Sequence, residues 1–341
     1  MTIYELTYSQ LEAYLQGLGE NPAKAAFIYK GLYQQHIRAF SEVTMLKTTL
    51  LARLAEDFQL TLPELKERSD GQDVSKFLFA LADSSLIEAV LMRQRFGNSV
   101  CISTQVGCNM ACAFCQSGRF KKVRNLTAGE MTAQVLAVQQ AIKEPISNVV
   151  LMGIGEPFDN YQAVMTFLEI ITCPRGLAVG PRHITVSTCG VVPRIYDYLA
   201  HPCHGQLAVS LHAAEDNLRS QLMPVNRRYP LEELMSAVQT FAKESGKKVM
   251  LEYILLEGIN DQPEQAQKLA DLIQGSRLHV NLIPYNGTQN MGFAASSPER
   301  IRRFYDVLKK QQVLVTMRRE FGSTIDGACG QLRAAYEGAA Q

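Results

Sequence analysis

Three cysteines on one short segment have a spacing that suits metal chemistry. In GCNMACAFCQSG, Cys108, Cys112 and Cys115 follow a CxxxCxxC pattern. Three thiolates from one loop can bind three irons of a [4Fe–4S] cluster, which ordinarily takes four protein ligands. A structural zinc site is the alternative, but such sites close with four Cys or His ligands, and the sequence has no second cysteine pair at CxxC spacing. The pattern therefore predicts a cluster with one iron left open.

A glycine-rich segment and several later polar residues are candidates for binding a small ligand. In LMGIGEP, Gly155 precedes Glu156. Glycine lets the backbone approach a ligand closely, and a carboxylate accepts hydrogen bonds from an ammonium group. A plain strand–loop turn also produces Gly-x-Gly-Glu. Ser187 and Ser210 end two later apolar runs, where a serine on its own is more often a capping residue than a ligand.

The apolar pattern predicts two kinds of architecture along the chain. Residues 1–58 have apolar residues at helical spacing, which predicts a small helical domain. Alternating and β-branched residues over 76–82 and 86–92 predict a hairpin. Short apolar runs then alternate with helix-like stretches, which predicts an α/β fold with a parallel sheet. The seven runs are 100–104, 148–152, 183–188, 207–212, 249–256, 279–285 and 313–318. The polar candidates follow the carboxyl ends of these runs, where βα folds carry their sites.

Composition and termini point to a protein of the reducing cytoplasm. The 341 residues are 47% hydrophobic and 20% charged, which is ordinary for a globular chain with a proper core. No apolar run reaches the length of a membrane span, and the N-terminus lacks the basic start of a secretion signal. We therefore expect a cytoplasmic protein without a membrane partner. Its eight cysteines are then expected to be ligands, catalysts or buried thiols rather than disulfides.

A basic segment directly follows the three cysteines. The net charge of +1 gives no indication of a nucleic-acid partner. Between residues 101 and 130, however, the basic residues outnumber the acidic ones, because Glu130 is the only acidic residue in this range. The four basic residues are Arg119, Lys121, Lys122 and Arg124. They are predicted to contact the phosphates of a nucleic acid, and a solvated helix face is the alternative.

CxxxCxxC with an aromatic residue before the last cysteine resembles the motif of the radical S-adenosylmethionine (SAM) superfamily, and the resemblance extends over residues 98–330. It implies a partial (β/α)6-type barrel with a small N-terminal helical domain and a linking β-hairpin. It also implies that the open iron binds the amino and carboxylate groups of SAM. The residues that would hold the rest of the cofactor are Gly155, Glu156, Ser187, Ser210, Leu211, His212 and Asn286.

Further motifs make the resemblance more specific. The segments VCISTQVGCNMACAFC, RNLTAGE, LMGIGEP, STCGVVP, SLHA, NLIPYN and IDGACGQL together resemble the RlmN/Cfr family, whose members methylate an adenine of 23S ribosomal RNA. The resemblance implies that Cys329 carries the methyl group and that Cys101 resolves it. It also implies that Glu88 is a proton acceptor, for which a surface carboxylate is the alternative. The resemblance further implies that each turnover uses two SAM molecules, because the adenine ring carbon has no nucleophilic lone pair.

The same resemblance sets the domains and partners that we expect. The predicted division is an RNA-contacting helical domain over 1–70, a linking hairpin over 71–97 and the barrel with the methyl-carrier loop over 98–341. The expected partners are 23S rRNA, transfer RNA as a further substrate, and a reducing electron donor such as flavodoxin or ferredoxin. Methylation at C2 is preferred over C8. A radical SAM enzyme acting on a peptide or small molecule, and a non-catalytic iron–sulfur module, are the alternatives from other classes.

Overall fold

The computed structural model describes residues 1–286 and 291–318. Within these ranges the chain forms ten α-helices and twelve β-strands. The helices are α1 (Tyr8–Gly17), α2 (Ala25–Tyr33), α3 (Thr48–Asp57), α4 (Ala128–Ile142), α5 (Tyr161–Thr172), α6 (Val192–Ala200), α7 (Asp216–Leu222), α8 (Leu231–Ser245), α9 (Pro263–Leu272) and α10 (Pro298–Lys310). The strands are β1 (Glu64–Asp70), β2 (Val74–Ala80), β3 (Leu86–Gln94), β4 (Gly97–Cys101), β5 (Gln105–Val106), β6 (Arg124–Asn125), β7 (Ile146–Leu151), β8 (Ile184–Thr188), β9 (Gln206–Ser210), β10 (Val249–Leu255), β11 (His279–Pro284) and β12 (Leu314–Met317).

Ten of these strands form one open sheet in the order β1-β2-β3-β4-β7-β8-β9-β10-β11-β12. In this sheet, the neighbours from β1 to β4 pair antiparallel. All the neighbours that follow β4 in this order pair parallel. Each of the seven parallel strands overlaps one of the seven predicted apolar runs, although β4 ends at Cys101 and shares only Val100 and Cys101 with the run over 100–104. The predicted fold class, a partial α/β barrel, is confirmed. No helix in the described ranges is long and apolar enough to span a membrane.

The N-terminal helical region packs directly on the barrel. A capping box begins α1: Thr7 Oγ1 accepts from the Gln10 backbone N–H, and Gln10 Oε1 accepts from that of Thr7. On α4, a Cβ at Gly129 would lie 2.6 Å from Glu5 Cγ, so the N-terminal segment and this helix are in close contact. The last of the three N-terminal helices ends at Asp57, and β1 belongs to the sheet. The sheet therefore begins before residue 70, where the predicted helical domain ended, and the predicted hairpin is flanked by β1 and β4.

Alternation along the strands divides the sheet into two faces. Side chains such as Leu91, Val100 and Val149 pack into the main core with the helices. Their neighbours point to the other face, where a separate apolar cluster forms. We call this the inner face, and its residues on β3, β4 and β7 and just after β7 are Val90, Met92, Cys101, Val150 and Met152. The carboxyl ends of the parallel strands border the inner face, so side chains there can meet across several strands.

Candidate active site

A cleft of about 910 Å³, counted with its open mouth, lies at the carboxyl ends of the parallel strands. Most residues that were predicted to bind the cluster and SAM line it. These are Cys108, Cys112, Cys115, Gly155, Glu156, Ser187, Ser210 and His212. Two predicted residues are not among its lining: the Leu211 side chain is fully buried in the main core, and Asn286 follows β11 and is half-buried. The structure thus brings together residues that lie far apart in the sequence: Cys108 and His212 are separated by 104 positions.

The cysteine loop is held at both of its ends. β5 and β6 pair as a two-stranded sheet on either side of it, and the Cys108 N–H donates to the Phe120 carbonyl at 3.0 Å. Gly107 has φ +75°, and a Cβ there would collide with the Lys121 carbonyl, so only glycine fits this close approach. In the middle of the loop, the Ala113 N–H donates to the Leu222 carbonyl at the end of α7, at 2.9 Å.

The three thiols fit a metal cluster. Burial, with a smaller contribution from the neighbouring cysteines, raises the pKa of Cys108 to about 12 and that of Cys112 well above its ordinary value. A bound metal overcomes such a cost because it deprotonates a coordinating thiol outright. Among the described residues, no three Cys, His, Asp or Glu side chains meet closely enough to hold a single metal ion. A polynuclear cluster tolerates the wider separation, because each thiolate binds a different iron.

Glu156 is held in one orientation by backbone hydrogen bonds. Its carboxylate accepts from the Cys189 N–H at 2.7 Å and from the Phe158 N–H at 3.0 Å, while its own N–H donates to Gln105 Oε1 at 2.9 Å. Burial raises the pKa of this carboxyl. Just before it, Gly155 has φ +110°, and a Cβ there would lie 2.7 Å from Gln105 Cβ. The turn therefore requires glycine so that the carboxylate can face the cleft.

His212 is a neutral imidazole at physiological pH. Its Nδ1 accepts from the Ile254 N–H at 3.0 Å, which leaves the proton on Nε2. Burial, together with the nearby Arg219 charge, lowers the pKa of His212 to about 3. The Phe114 ring from the cysteine loop contacts the imidazole edge-on, with 4.6 Å between centroids. An uncharged hydrogen-bond donor thus lines the cleft beside the cysteine loop.

Sequence reasoning missed Arg219, Gln105 and Glu252. Arg219 on α7 is fully buried and binds backbone carbonyls of the turns after β8 and β9. Gln105 carries the Glu156 turn, and the buried Glu252 of β10 lines the cleft. No local pattern marked them, and the segment around Arg219, NLRSQLM, mixes polar and apolar residues. The buried Cys189, which was not among the predicted site residues, also lines the cleft.

Cys101 and Glu88 lie on or beside the inner face. Cys101 pairs in register with Val90 on β3 and with Val150 on β7, and it belongs to the apolar cluster against which Met152 packs. Met152 in turn lines the cleft. Glu88 precedes Val90 by two residues, is 3% exposed and has the Lys76 ammonium 3.6 Å from its carboxylate. The surface-carboxylate alternative for Glu88 is therefore wrong. Cys329 lies outside the described residues.

The four predicted RNA contacts fall into two pairs. Arg119 and Lys121 are exposed. Lys122 instead donates to Asp159 at 2.7 Å, and Arg124 binds both Asp83 and Glu130. The exposed pair is open to an external phosphate, whereas the other two cations already bind carboxylates of the chain.

Comparisons with known proteins agree with this geometry. Residues 102–270 match the model of the radical SAM superfamily, and residues 1–60 match the ribosomal RNA large subunit methyltransferase N-terminal domain. A probable dual-specificity RNA methyltransferase RlmN of Geobacillus kaustophilus is 46% identical over 337 residues, which cover 98% of this chain and 92% of the relative. Its namesake from Enterococcus faecalis is 45% identical over 341 residues, covering 97% and 96%.

A solved structure is similar over nearly the whole chain. The crystal structure of a radical SAM methyltransferase from Sphaerobacter thermophilus superposes with a TM-score of 0.93 at 41% identity. The match covers 98% of this chain and 99% of the other. The two family models, the full-length relatives and this structure agree with one another. The chain belongs to the RlmN/Cfr family of radical SAM RNA methyltransferases.

Proposed function

We propose that the protein methylates C2 of an adenine in 23S rRNA, and of an adenine in transfer RNA, with Cys329 as the methyl carrier. The observation that carries this proposal is the convergence of the CxxxCxxC loop and the Gly155-Glu156 turn on one cleft. Cys101 belongs to the inner-face cluster against which Met152 packs, and Met152 lines that cleft. The name shared by the relatives, dual-specificity RNA methyltransferase RlmN, supports two RNA substrates and the C2 branch of the family.

Each residue of the cleft has a defined part in this proposal. Cys108, Cys112 and Cys115 hold the [4Fe–4S] cluster, and the Glu156 carboxylate accepts hydrogen bonds from the SAM ammonium group. Ser187, Ser210, His212 and Asn286 complete the cofactor site, with Leu211 contributing through its backbone. When bound, the cluster and SAM supply the methyl group and the radical chemistry that an unactivated ring carbon requires. A turnover would use two SAM molecules, and a reducing donor such as flavodoxin or ferredoxin would reduce the cluster and return the Cys101–Cys329 disulfide to thiols.

The remaining residues of the chain release the product. Once the adduct has lost its ring proton and its unpaired electron, which the cluster would take back, the Cys101 thiolate attacks the Cys329 sulfur. The S–S bond forms, the bond between Cys329 and the transferred carbon breaks, and that carbon leaves with the electron pair and takes up a proton. Glu88 or Cys101 accepts the ring proton. The adenine must reach the cleft unpaired, because its ring edge is covered within a helix. Arg119 and Lys121, both exposed beside the cysteine loop, contact the flanking phosphates.

Mass spectrometry of RNA nucleosides tests the proposal. Anaerobically reconstituted protein is incubated with unmodified 23S rRNA, SAM and a reductant, and 2-methyladenosine is the expected product. We expect Cys329→Ala to lose the product but keep the cluster absorbance, and Cys112→Ala to lose both. Cys203→Ala is the matched control, because this half-buried cysteine does not line the cleft. The C2 assignment would be wrong if 8-methyladenosine formed instead, and the carrier role would be wrong if Cys329→Ala still gave product.

A further inference from the structure

Arg219 is a buried cation that joins two turns of the cleft. The residue has no exposed surface. Its Nε donates to the Leu211 carbonyl at 3.1 Å, and Nη2 donates to the carbonyls of Ser210 at 3.0 Å and Cys189 at 2.7 Å. These carbonyls belong to the last residue of β9 and to the turns after β8 and β9, which line the cleft. One guanidinium therefore fixes the spacing of two cofactor-facing turns.

The charge of Arg219 is not neutralised by a direct ion pair. In residues 1–286 and 291–318, no carboxylate lies within ion-pair distance of this guanidinium. Its Nη1 donates instead to Asn226 Oδ1 at 2.8 Å, and the Asn226 amide donates to Asp216 Oδ1 at 2.7 Å. The amide thus separates the cation from the nearest acid. Burial lowers the pKa of Arg219 only to about 10, so the group stays charged at neutral pH. A buried charge without a counterion is costly unless a ligand supplies one.

The negative charge that could supply this counterion lies on the cysteine loop. Helix α7, which carries Arg219, accepts the Ala113 N–H through the Leu222 carbonyl. Cys112 packs against the same small apolar cluster as Leu222, so the cysteine loop lies against the helix that carries Arg219. Three thiolates around a [4Fe–4S] core give the cluster a net negative charge, which grows by one on reduction. A fixed cation at this position stabilises the reduced form more than the oxidised form.

We propose that Arg219 is a positioning residue with an electrostatic role: its charge raises the reduction potential of the cluster, and its planar fork holds the SAM-facing turns after β8 and β9. This inference rests on the proposed cluster and SAM site. It does not depend on which RNA or which ring carbon is methylated. The two roles separate experimentally, because lysine keeps the charge but lacks the fork, while glutamine lacks the charge.

The test compares Arg219→Gln and Arg219→Lys in the reconstituted full-length protein without RNA. The measurements are iron content, the midpoint potential by redox titration followed by electron paramagnetic resonance, and the dissociation constant for SAM. We expect Arg219→Gln to bind iron but to lower the reduced-to-oxidised ratio at least tenfold at a given potential, which is about 59 mV for one electron. Both variants should bind SAM roughly tenfold more weakly, as is typical when an outer partner of a metal site is lost.

Arg194→Gln is the matched control, because it removes the same charge from an exposed side chain that pairs with Asp197. We expect it to leave the potential and the SAM affinity unchanged. If Arg219→Gln does not fold, Arg219→Lys still tests the idea: its potential should match the unaltered protein while its SAM affinity falls. A normal potential in Arg219→Gln, or a lysine variant whose potential drops as far as that of glutamine, would overturn the electrostatic role. Failure of the unaltered protein to bind iron would instead refute the proposed function.

Discussion

Replacing Gly155 by alanine should weaken SAM binding at least tenfold. The residue has φ +110°, a backbone conformation that costs an L side chain about 1–3 kcal/mol. The new Cβ would also lie 2.7 Å from Gln105 Cβ and 2.8 Å from Thr104 Oγ1. Gln105 cannot move aside easily, because its amide donates to Asn125 and Asp159, each at 2.9 Å. The strain is relieved when the turn shifts and carries Glu156 with it, so SAM must bind against that strain. About 1.4 kcal/mol corresponds to a tenfold change in affinity.

Gly246→Ala is the control for the cost of placing an L side chain on a backbone with positive φ, without a steric clash. Gly246 ends α8 with φ +65°, and no heavy atom lies within 4 Å of a Cβ built there. This variant should lose about 1 kcal/mol of folding stability without a change in SAM affinity. Equilibrium dialysis of anaerobically reconstituted protein measures the affinity, and thermal denaturation measures the stability. An affinity within twofold of the unaltered protein for Gly155→Ala, or an equal loss for both variants, would refute the reasoning.

Three further predictions concern the RNA surface, pH and buried amides. Lys121→Glu should weaken RNA binding and lower the slope of log affinity against log salt concentration by about one, as measured by fluorescence anisotropy. Lys122→Gln should change that slope little, because Asp159 already binds this cation. Equal slopes for the two variants would contradict the assignment of Lys121, but not Lys122, to the RNA-binding surface. Arg124 holds the pKa of Asp83 well below its usual range, so the pair stabilises the protein above about pH 4 and the contribution is lost as pH falls. Urea denaturation should therefore show that Asp83→Asn is less stable than the unaltered protein by under about 1 kcal/mol at neutral pH, because the ion pair is partly exposed. This difference in stability should shrink towards pH 3. A difference that does not change with pH would count against the ion pair. Asn160→Leu should cost about 2–4 kcal/mol of unfolding free energy in the same assay, because its buried amide donates to the carbonyls of Thr104 and Leu126, and a loss below about 0.5 kcal/mol would show that these carbonyls find other partners.

Local sequence patterns were sufficient for the elements and for the edge on which the site lies. Each of the seven parallel strands matches an apolar run, because a strand covered on both faces needs near-continuous apolar residues. The carboxyl ends of parallel strands share one edge, so Cys108, Gly155 and Ser187 could be expected to meet before any distance was known. The boundary of the helical domain was less well predicted, because β1 is an exposed edge strand with a polar sequence, ELKERSD.

Side-chain partners across the barrel could not be read from the chain. Lys122 and Arg124 belong to the same basic run as Lys121, yet their partners Asp159 and Asp83 lie 37 and 41 residues away. Glu88 could have been a surface carboxylate until the sheet showed it to be buried. Arg219 had no recognisable pattern, since its acceptors are backbone carbonyls, which every residue possesses.

The sequence by itself determined the cysteine spacing, the order of βα units and the glycines of the ligand-facing turns, because these depend on neighbours within a few residues. Only the tertiary structure decided which charges remain available and which are already neutralised. It also decided which buried groups orient the cleft. These outcomes depend on desolvation and on contacts between distant segments, and both arise only when the helices and the sheet pack together.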